Sequence, residues 1–390
     1  MRILIAADTY YPQVNGASYF AHRFAQNLQA KGHDVAVITA STKLGREYSK
    51  RDGINVYGAP SIPLGAQHNF RNSLPIFTNI EARRVLREFK PDVVHVQMHF
   101  LISRAVIKEA GKIGVPVMAT NHFMPENLVH YLPLPAFARG WIARSMWWDC
   151  TRVLRHTKLI TAPTDTAAKM MDAHLNTVTV SNGIDLERFK PNNNGEYLKE
   201  RYKIPNKPIL LSVGRVDQEK KVDDVLRAFK LSLEKIDAHL VVAGNGTERK
   251  KLEILARELK IDKNVTFAGF VPDADLPNLY TVADVFVAAG IAELQCIVAM
   301  EAMASGLPVL GVNKIALPEL VHDGENGFLF EDGDINTLSL KMTLLLSDAD
   351  LRKKMGTKSL EIIAHHDIHK VISEFEDLYQ KLIDENKAKK

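Results

Sequence analysis

The stretch AELQCIVAMEAMASGLPVLG, residues 292–311, reads as a loop, a helix and the start of a strand. An apolar strand, DVFVAAG at 284–290, comes directly before it, and the strand LPVLGV at 307–312 ends it. Strands that alternate with helices are typical of a parallel sheet, because parallel neighbours need a long crossover connection. The stretch therefore predicts an α/β fold.

The same alternation extends on both sides of this stretch, and apolar strands with helical patterns between most of them argue for parallel sheets covered on both faces. A polar segment rich in Asn and Pro, 189–208, interrupts the pattern and is predicted to be a linker between two doubly wound domains. The other predicted strands are 2–7, 34–40, 92–97, 115–121, 158–163, 177–182, 208–214, 239–246 and 264–270.

Length and composition agree with two domains. The chain has 390 residues, of which 46% are apolar, and single cores rarely grow beyond about 250–300 residues. The only cysteines, Cys150 and Cys296, indicate a reducing compartment without a disulfide framework. We expect neither a signal peptide nor a membrane-spanning segment, because the apolar runs are too short.

Charge is distributed unevenly along the chain. Residues 1–180 carry a net charge of +9, and residues 181–390 carry −5. A basic front half indicates that one domain faces an anionic surface, such as lipid headgroups, nucleic acid or a charged substrate.

Two carboxylates in the opening stretch, Glu293 and Glu301, lie eight positions apart. Glutamate is seldom buried without a partner, so each needs a hydrogen-bond donor. Glu293 is predicted to precede the helix, which starts near Cys296, and Glu301 to lie within it. Beside a helix N-terminus they can accept hydrogen bonds from the hydroxyls of a sugar nucleotide, although a helix cap and an ion pair account for the spacing equally well.

Two cations follow the strand 208–214, at the edge where doubly wound sheets bind ligands. Arginine grips phosphate with two hydrogen bonds and lysine adds a compact charge, so Arg215 and Lys220 together would neutralise a departing diphosphate. Taken singly, either residue is more often a solvated surface charge.

The front half offers two further candidates at strand ends. Gly16 lies in the predicted turn PQVNGAS at 12–18, where it would let backbone N–H groups approach a phosphate. His122 and Glu126 follow the strand that ends at Asn121. A single glycine more often forms a plain turn, and a lone histidine is more often a structural residue with its hydrogen bonds satisfied.

Three other patterns are discounted. Gly244 and Gly246 lack the third glycine of a dinucleotide-binding fingerprint. His365 and His369 have the helical spacing of a zinc pair but no obvious third ligand. Asp-x-Asp pairs lie in polar turns next to helices, where capping is the ordinary use of Asp rather than metal binding. These pairs are at positions 273 and 275, 332 and 334, and 348 and 350.

The glutamate pair and several other blocks of the sequence resemble a known family. This family is the retaining glycosyltransferases of the GT-B architecture, of the group 1 and family 4 type. The glutamate pair with EAMASGLPV resembles the family's E-x7-E signature. Nearly the whole chain is covered, which implies an α/β fold of two Rossmann-like doubly wound parallel-sheet domains facing a central cleft. The other similar blocks are VSNGIDLERFKP at 180–191, SVGRVDQEK at 212–220, VTFAGFVPDADLPNLYTVADVFV at 265–287 and PELVHDGENGFLF at 318–330.

The resemblance implies a catalytic set of four residues. Glu293 would hold hydroxyls of the donor sugar, and Arg215 and Lys220 would bind the diphosphate. His122 would lie by the reacting face of the sugar. Such enzymes need no metal or other cofactor for the chemistry, and the leaving phosphate is thought to help deprotonate the acceptor on one face of the sugar.

The donor-binding set extends further under the same resemblance. Glu301 would bind the ribose hydroxyls, and Gly16 would back the diphosphate. The backbone near Phe270 and Val271 would meet the base, and Ile297 at the start of the helix is included in the set.

The sequence departs from the family pattern at three places. Lys221 stands where the family usually has glycine, and AAGIAE at 288–293 lacks the usual Pro-Ser. KIALPELV at 314–321 lacks a glycine pair. These changes bear on the donor-sugar pocket, so the sequence leaves the identity of the sugar open.

The stretch 121–158 bears on the acceptor. It places tryptophans among basic residues, a combination that suits the headgroup layer of a membrane. A helix with buried tryptophans and a solvated basic face is the alternative interpretation. The blocks NHFMPEN at 121–127 and ELQCIVAMEAMASGLPVLGVNKIALPELV at 293–321 resemble the branch of the family that glycosylates diacylglycerol-type lipids. The proposed membrane contacts are Trp141, Arg144, Trp147, Trp148, Arg152 and Arg155, with Arg139 and Lys158 beside them.

We therefore expect an acceptor-side domain at 1–182, with a C-terminal helix at about 371–390 packing back on it, and a nucleotide-sugar-binding domain at 183–370. The expected enzyme is cytoplasmic, attached to the inner face of the cell membrane, and transfers a hexose from a UDP- or GDP-sugar to a membrane lipid with retention. Transfer to a soluble or polyprenyl-linked sugar and a sugar-nucleotide epimerase are the alternatives. A nucleic-acid binder is disfavoured by the glutamate pair and the lack of aromatic stacking motifs.

Overall fold

The computed structural model describes residues 1–11, 16–63, 71–129 and 136–389. It divides into two compact units, Met1–Asn182 with His369–Lys390, and Gly183–Ile368, which we call the first and the second unit. Part of the predicted glycine turn, residues 12–15, and residues 130–135 of the tryptophan-rich stretch lie outside the described residues.

The first unit is built on an eight-stranded sheet in the order β10-β9-β8-β7-β1-β2-β4-β3. Its strands pair in parallel except for β3, which is antiparallel to β4, while β5 and β6 form a separate ribbon. The strands are β1 (Arg2–Ala6), β2 (Asp34–Ala40), β3 (Glu47–Arg51), β4 (Ile54–Ala59), β5 (Ser61–Pro63), β6 (Arg71–Ser73), β7 (Val93–Val96), β8 (Val117–Thr120), β9 (Leu159–Ala162) and β10 (Thr177–Thr179).

Helices cover this sheet, and successive side chains along each of its strands point to opposite faces. On one face, Val94 and Val96 of β7 join a single apolar core with residues of three helices, among them Val85, Ile102 and Leu154. The helices are α1 (Gly16–Ala30), α2 (Pro75–Phe89), α3 (Leu101–Lys112), α4 (Glu126–Val129), α5 (Ala136–Leu154) and α6 (Asp165–Lys169).

The second unit contains a six-stranded, all-parallel sheet in the order β13-β12-β11-β14-β15-β16. Its strands are β11 (Ile209–Val213), β12 (His239–Ala243), β13 (Val265–Gly269), β14 (Val285–Ala288), β15 (Val309–Val312) and β16 (Gly327–Phe330). Its helices are α7 (Glu196–Tyr202), α8 (Val222–Ser232), α9 (Arg249–Glu258), α10 (Leu276–Tyr280), α11 (Ile297–Ala304), α12 (Leu317–Leu320), α13 (Ile335–Ser347) and α14 (Ala349–Ile363).

The prediction of a linker at 189–208 is wrong. This segment contains α7, and Phe189, Leu198 and Ile204 are buried in the core of the second unit. Its few apolar residues are widely spaced, so they show neither the helical nor the strand period, yet these three are used for packing.

The last helix, α15 (Ile368–Lys387), belongs to the first unit. Phe375 packs edge-on against Phe24 of α1, with ring centroids 4.8 Å apart. His95 lies between Val94 and Val96 on β7, so its side chain points to the opposite face of the sheet. Its Nδ1 forms a hydrogen bond with the Tyr379 hydroxyl at 2.6 Å. This helix therefore covers the second face of the sheet together with α1.

Each sheet has one point at which its strand order reverses. In the first unit the order turns between β1 and β7, and in the second between β11 and β14. Loops that leave such a pair of strands diverge, and the crevice between them is where doubly wound sheets bind ligands. The loops after β1 and β7, and those after β11 and β14, are therefore where functional side chains are expected.

Candidate active site

At the reversal point of the second unit, the loops after β11 and β14 bring Lys220 and Glu293 together. The Lys220 ammonium forms an ion pair with Glu293 Oε1. Gly290 leaves space for this contact, because a Cβ there would lie 3.0 Å from Glu293 Oε1 and 3.3 Å from Lys220 Cδ. Burial lowers the pKa of Lys220, but the attraction of Glu293 outweighs it, so the net pKa is raised and the lysine is charged at neutral pH.

Arg215 is held in the same loop by two carboxylates. Its guanidinium donates to Asp217 Oδ2 at 2.6 Å and to Glu219 Oε1 at 2.7 Å. Both acids are buried, whereas the arginine side chain is 43% exposed. Asp217 is fixed in turn by the backbone and hydroxyl of Thr247, at 2.8 and 2.9 Å. The arginine is thus oriented in advance and still accessible to an anion.

Glu301 lies within α11, as predicted, and Glu293 precedes that helix. Only 4% of Glu301 is exposed, and its Oε2 accepts a hydrogen bond from the Tyr280 hydroxyl at 2.7 Å. Tyr280 is fully buried at the end of α10. The second acid of the pair therefore has a neutral partner inside the unit, whereas the first has a cation.

The remaining donor-site candidates of the second unit lie after β13 and at the start of α11. Phe270 and Val271 directly follow β13, with Phe270 54% exposed and Val271 buried. Ile297 is the first residue of α11. Cys296 precedes it, and burial raises the pKa of its thiol, so the thiol is protonated at neutral pH. Ile297 and Cys296 thus follow the loop that carries Glu293.

The glycines of AGNGTER have a structural role. A Cβ on Gly244 would lie 1.8 Å from the carbonyl oxygen of Gly214, and one on Gly246 would lie 2.2 Å from that of Val216. The two loops after β11 and β12 therefore pack backbone to backbone, and only glycine permits this approach.

In the first unit, His122 follows β8 and Gly16 begins α1. His122 Nε2 donates to Gln97 Oε1 at 2.9 Å, and the ring of Phe20 lies 4.7 Å from the imidazole. Burial lowers the pKa of His122 to about 4, so the imidazole is neutral at pH 7. A Cβ on Gly16 would meet no atom within 4 Å, so this glycine is not required by packing.

The tryptophans of α5 point in different directions. Trp141 and Trp148 are 68% and 64% exposed, and the Arg152 guanidinium lies 5.4 Å from the Trp148 ring. Trp147 is partly buried and packs against the core, 6.1 Å from Phe123, so it adds less exposed surface than Trp141 and Trp148. The arginines Arg144, Arg152 and Arg155 are all exposed.

Two aspartates of the Asp-x-Asp pairs serve as helix caps. Asp334 accepts from the backbone of Thr337 at 3.0 Å, and Asp348 from that of Leu351 at 2.9 Å. Across the described residues, no group of three or more His, Cys, Asp or Glu side chains has an arrangement that could hold a metal ion.

Sequence reasoning missed the partners of the candidate residues. Asp217 and Glu219 lie in the quoted block SVGRVDQEK, so their spacing from Arg215 was a usable signal. Tyr280 and Gln97 carried no such signal, because only the fold brings them to Glu301 and His122.

Two family models match the chain. Glycosyl transferases group 1 matches residues 194–361, and Glycosyltransferase Family 4 matches residues 14–188. A GDP-mannose-dependent alpha-mannosyltransferase of Mycobacterium tuberculosis is 30% identical over 342 residues, which is 86% of this chain and 85% of that protein. The chain belongs to the group 1 glycosyltransferases.

Other proteins also match over most of their length. An alpha-monoglucosyldiacylglycerol synthase of Streptococcus pneumoniae is 28% identical over 386 residues, covering 96% of this chain and 85% of that protein. Among solved structures, a sucrose-phosphate synthase from Thermosynechococcus elongatus superposes with a TM-score of 0.82 at 18% identity, over 98% of this chain and 100% of that one. The two doubly wound units are those of the GT-B fold, and the predicted fold class is confirmed.

Proposed function

We propose that this glycosyltransferase moves a hexose from a UDP- or GDP-linked donor to a membrane lipid of the diacylglycerol type, with retention of the anomeric configuration. The observation that carries the donor half of the proposal is the group of charged side chains at the reversal point of the second unit. There Lys220, Arg215 and Glu293 emerge from adjacent loops. HepE from Anabaena, whose structure is described as a complex with UDP, shares the fold with a TM-score of 0.77 at 17% identity, covering 98% of this chain and all of that one.

In this proposal the cations act on the leaving group. Negative charge develops on the diphosphate as the bond to the sugar breaks, and fixed positive groups stabilise charge that appears in the transition state. Arg215 is oriented by two buried acids, so little reorganisation is needed when the diphosphate binds. With these cations in place we propose that no divalent metal or other cofactor takes part in the chemistry, which transfer in the presence of a chelator tests.

The acids orient the sugar alcohols. Glu293 would hold hydroxyls of the donor sugar, and Glu301 would bind the ribose from its position on α11. The backbone near Phe270 and Val271 would meet the base, with Ile297 alongside. The roles proposed for Gly16 and His122, backing the diphosphate and meeting the sugar, follow from the family resemblance.

The lipid acceptor is supported by the names of two relatives and by one exposed surface. Relatives from Streptococcus pneumoniae and Acholeplasma laidlawii are named alpha-monoglucosyldiacylglycerol synthase. The exposed face of α5 presents Trp141, Trp148 and Arg152 together, a combination that favours the headgroup layer. Nowhere in the described chain is a helix long and apolar enough to span a bilayer, and we propose peripheral attachment at the inner face of the cell membrane.

A soluble acceptor is the second candidate. A relative from Bacillus anthracis is named N-acetyl-alpha-D-glucosaminyl L-malate synthase. It is 25% identical over 392 residues, which is 97% of this chain and 97% of that protein. By its name it forms a product on a small hydroxy acid, so the family allows acceptors other than lipids.

The decisive assay offers a panel of nucleotide sugars with a lipid extract, with soluble acceptors or with no acceptor. We expect release of UDP or GDP that depends on lipid, and a product whose anomeric carbon keeps the donor configuration by NMR. Release with soluble acceptors alone would replace the lipid by the second candidate. Conversion of the donor without nucleotide release would indicate an epimerase instead.

Glu301→Gln tests the donor site. Because an amide cannot accept two hydrogen bonds from a diol as a carboxylate does, we expect donor affinity to fall by about tenfold or more, the cost of one charge-assisted hydrogen bond. Calorimetry with UDP and GDP measures this. Glu325→Gln, at an exposed acid of the same unit, is the matched control. Unchanged affinity in Glu301→Gln would remove this residue from the ribose site.

Membrane attachment is tested by replacing Arg144, Arg152 and Arg155 together with Gln. Each basic residue near an anionic bilayer contributes about 1 kcal/mol, so binding to vesicles that contain phosphatidylglycerol should weaken on the order of 100-fold. The control replaces three exposed lysines of the second unit, with the same loss of charge. Equal losses in both triple variants would show that net charge alone matters, and no loss in either would refute attachment through α5. These lysines are Lys250, Lys263 and Lys354.

A further inference from the structure

Gln97 is the first residue after β7, at the point where the strand order of the first unit reverses. Its backbone N–H donates to the carbonyl of Ala6 on β1 at 2.9 Å, so the sheet fixes its position. Only 1% of the residue is exposed. The one polar contact of its side chain among the described residues is the 2.9 Å hydrogen bond to His122.

This bond has a consequence for the imidazole. When Oε1 of Gln97 accepts from Nε2, the proton of the neutral ring lies on Nε2, and Nδ1 is a bare acceptor. The pKa of His122 is lowered to about 4 by burial, so the ring does not take a second proton near neutral pH. No side chain or backbone group of the described residues bonds to Nδ1, and the Phe20 ring, 4.7 Å from the imidazole, limits its rotation.

The nitrogen of the Gln97 side-chain amide lowers the stability of the fold. Its Nε2 is buried and finds no hydrogen-bond partner within the described chain. A buried donor without a partner destabilises the folded state, and a leucine of similar size would avoid this. Polar groups that cost stability in this way are often retained for a functional reason.

We propose that Gln97 is a positioning residue for the transfer reaction, holding His122 in its Nε2-protonated form so that Nδ1 can accept a hydrogen bond from a substrate hydroxyl. The proposal rests on the proposed function, because it assigns His122 to the substrate site. The substrate group that this arrangement selects is a hydroxyl or another neutral donor, since a neutral imidazole acceptor gives little attraction to an anion.

The first test separates positioning from stability. In Gln97→Leu the removal of the unpaired amide donor offsets the loss of the acceptor for His122 Nε2–H. We therefore expect a melting temperature close to that of the wild type together with a fall in kcat/KM on the order of 10–100-fold, the cost of a displaced active-site group. Thr39→Val is the matched control, because the Thr39 hydroxyl on β2 is also buried with no partner among the described residues. That variant breaks no hydrogen bond, so it should be at least as stable as the wild type and keep full activity. Loss of stability in step with activity, or full activity in Gln97→Leu, would overturn the proposal.

The second test uses Gln97→Glu and the pH profile. A carboxylate beside Nε2 favours the imidazolium and raises the pKa of His122. Below that raised pKa both nitrogens carry protons, so Nδ1 can no longer accept. We expect kcat/KM of this variant to fall as the pH drops from 8 to 6, at pH values where the wild-type profile stays flat. A profile identical to that of the wild type would contradict the proposal.

A measurement independent of activity completes the set. Spectra of the 15N-histidine-labelled protein, assigned by comparison with His122→Asn, should show His122 as the Nε2–H tautomer at pH 7. An Nδ1–H tautomer would overturn the inference while leaving the proposed function intact. Absence of any transfer by the wild-type protein would overturn the proposed function, and the tautomer result would stand on its own.

Discussion

The ion pair between Lys220 and Glu293 joins the two roles assigned to the site. One member is a cation for the diphosphate, and the other is an acid for the sugar, yet in the free protein each is the partner of the other. A nucleotide sugar carries both a diphosphate and sugar hydroxyls. The diphosphate can replace Glu293 as the partner of Lys220, and the hydroxyls can replace Lys220 as the partner of Glu293. A nucleoside diphosphate offers a replacement for only one, because it has no donor-sugar hydroxyls for Glu293.

We therefore predict that Glu293→Gln binds UDP or GDP more tightly while transferring sugar more slowly. Removing the negative charge leaves Lys220 free to bind phosphate, and we expect a severalfold gain in nucleotide affinity, since a close ion pair at a partly exposed site is worth about 1 kcal/mol. Calorimetry and a transfer assay measure the two effects. Glu234→Gln, which breaks an exposed pair with Lys230, is the control. Weaker nucleotide binding in Glu293→Gln would contradict a competition between Glu293 and phosphate for Lys220.

Some properties of single residues could be predicted from the sequence and others could not. The sequence predicted Lys220 and Glu293 at the edge of one sheet because strand ends are visible in the apolar pattern. The contact between them depends on the order of β11 and β14, which the pattern does not show. Lys221, where the family usually has glycine, adopts φ +53°, a left-handed conformation that glycine accepts more readily. Lys221 is thus a non-glycine residue in a backbone conformation that favours glycine.

Among the secondary-structure elements, most strands were predictable from the sequence, but the polar strand β3 and the buried strand β4 were not. Every strand from β7 to β15 falls within a predicted strand. Most of these strands are apolar because the centre of a parallel sheet is buried on both faces, whereas the edge strand β10 is only partly buried. The edge strand β3, EYSKR, is polar and half exposed, so it has no apolar run. Its hairpin with β4 was nevertheless signalled by Asp52-Gly53, whose φ values of +49° and +84° suit a two-residue turn.

A prediction for α15 follows from the buried chain of hydrogen bonds that starts at Tyr379 and passes through His95 and Thr120 to Thr161, with each bond 2.6 Å long. Tyr379→Phe leaves His95 Nδ1 buried without a partner, so we expect the free energy of unfolding to fall by about 1–3 kcal/mol. Urea denaturation measures this. Tyr48→Phe, which removes a solvent-exposed hydroxyl bonded to Asn55, should change stability by less than about 0.5 kcal/mol. A Tyr379→Phe variant as stable as the wild type would show that the hydroxyl bond is not needed to hold α15.

Considered as a whole, the molecule buries several histidines in neutral form. Burial lowers the pKa of His95 to about 3 and the pKa values of His99, His122 and His239 to about 4. In the unfolded chain each would titrate near 6.5. Between these values the unfolded chain binds protons that the native state does not, so stability is present above pH 6.5 and is lost as the pH falls.

We accordingly predict that the free energy of unfolding decreases between pH 6.5 and 4.5, by up to about 1.4 kcal/mol per pH unit for each of these histidines. His239→Gln should reduce the slope of stability against pH, because glutamine has no proton to gain. His174→Gln, at an exposed histidine, is the matched control. Urea titrations at several pH values measure the slope, and a flat dependence in the wild type would contradict the assignment of neutral buried histidines.

The position of α15 along the chain has a consequence for biosynthesis. The ribosome produces all of residues 183–368 before the helix that covers Phe24 and His95 emerges. Until then, α15 does not cover its face of the first sheet. A nascent chain with exposed apolar surface can bind chaperones or aggregate. The N-terminal half therefore cannot complete its folding first, although it is made first, and a stop codon placed anywhere in the second unit would damage the first unit as well.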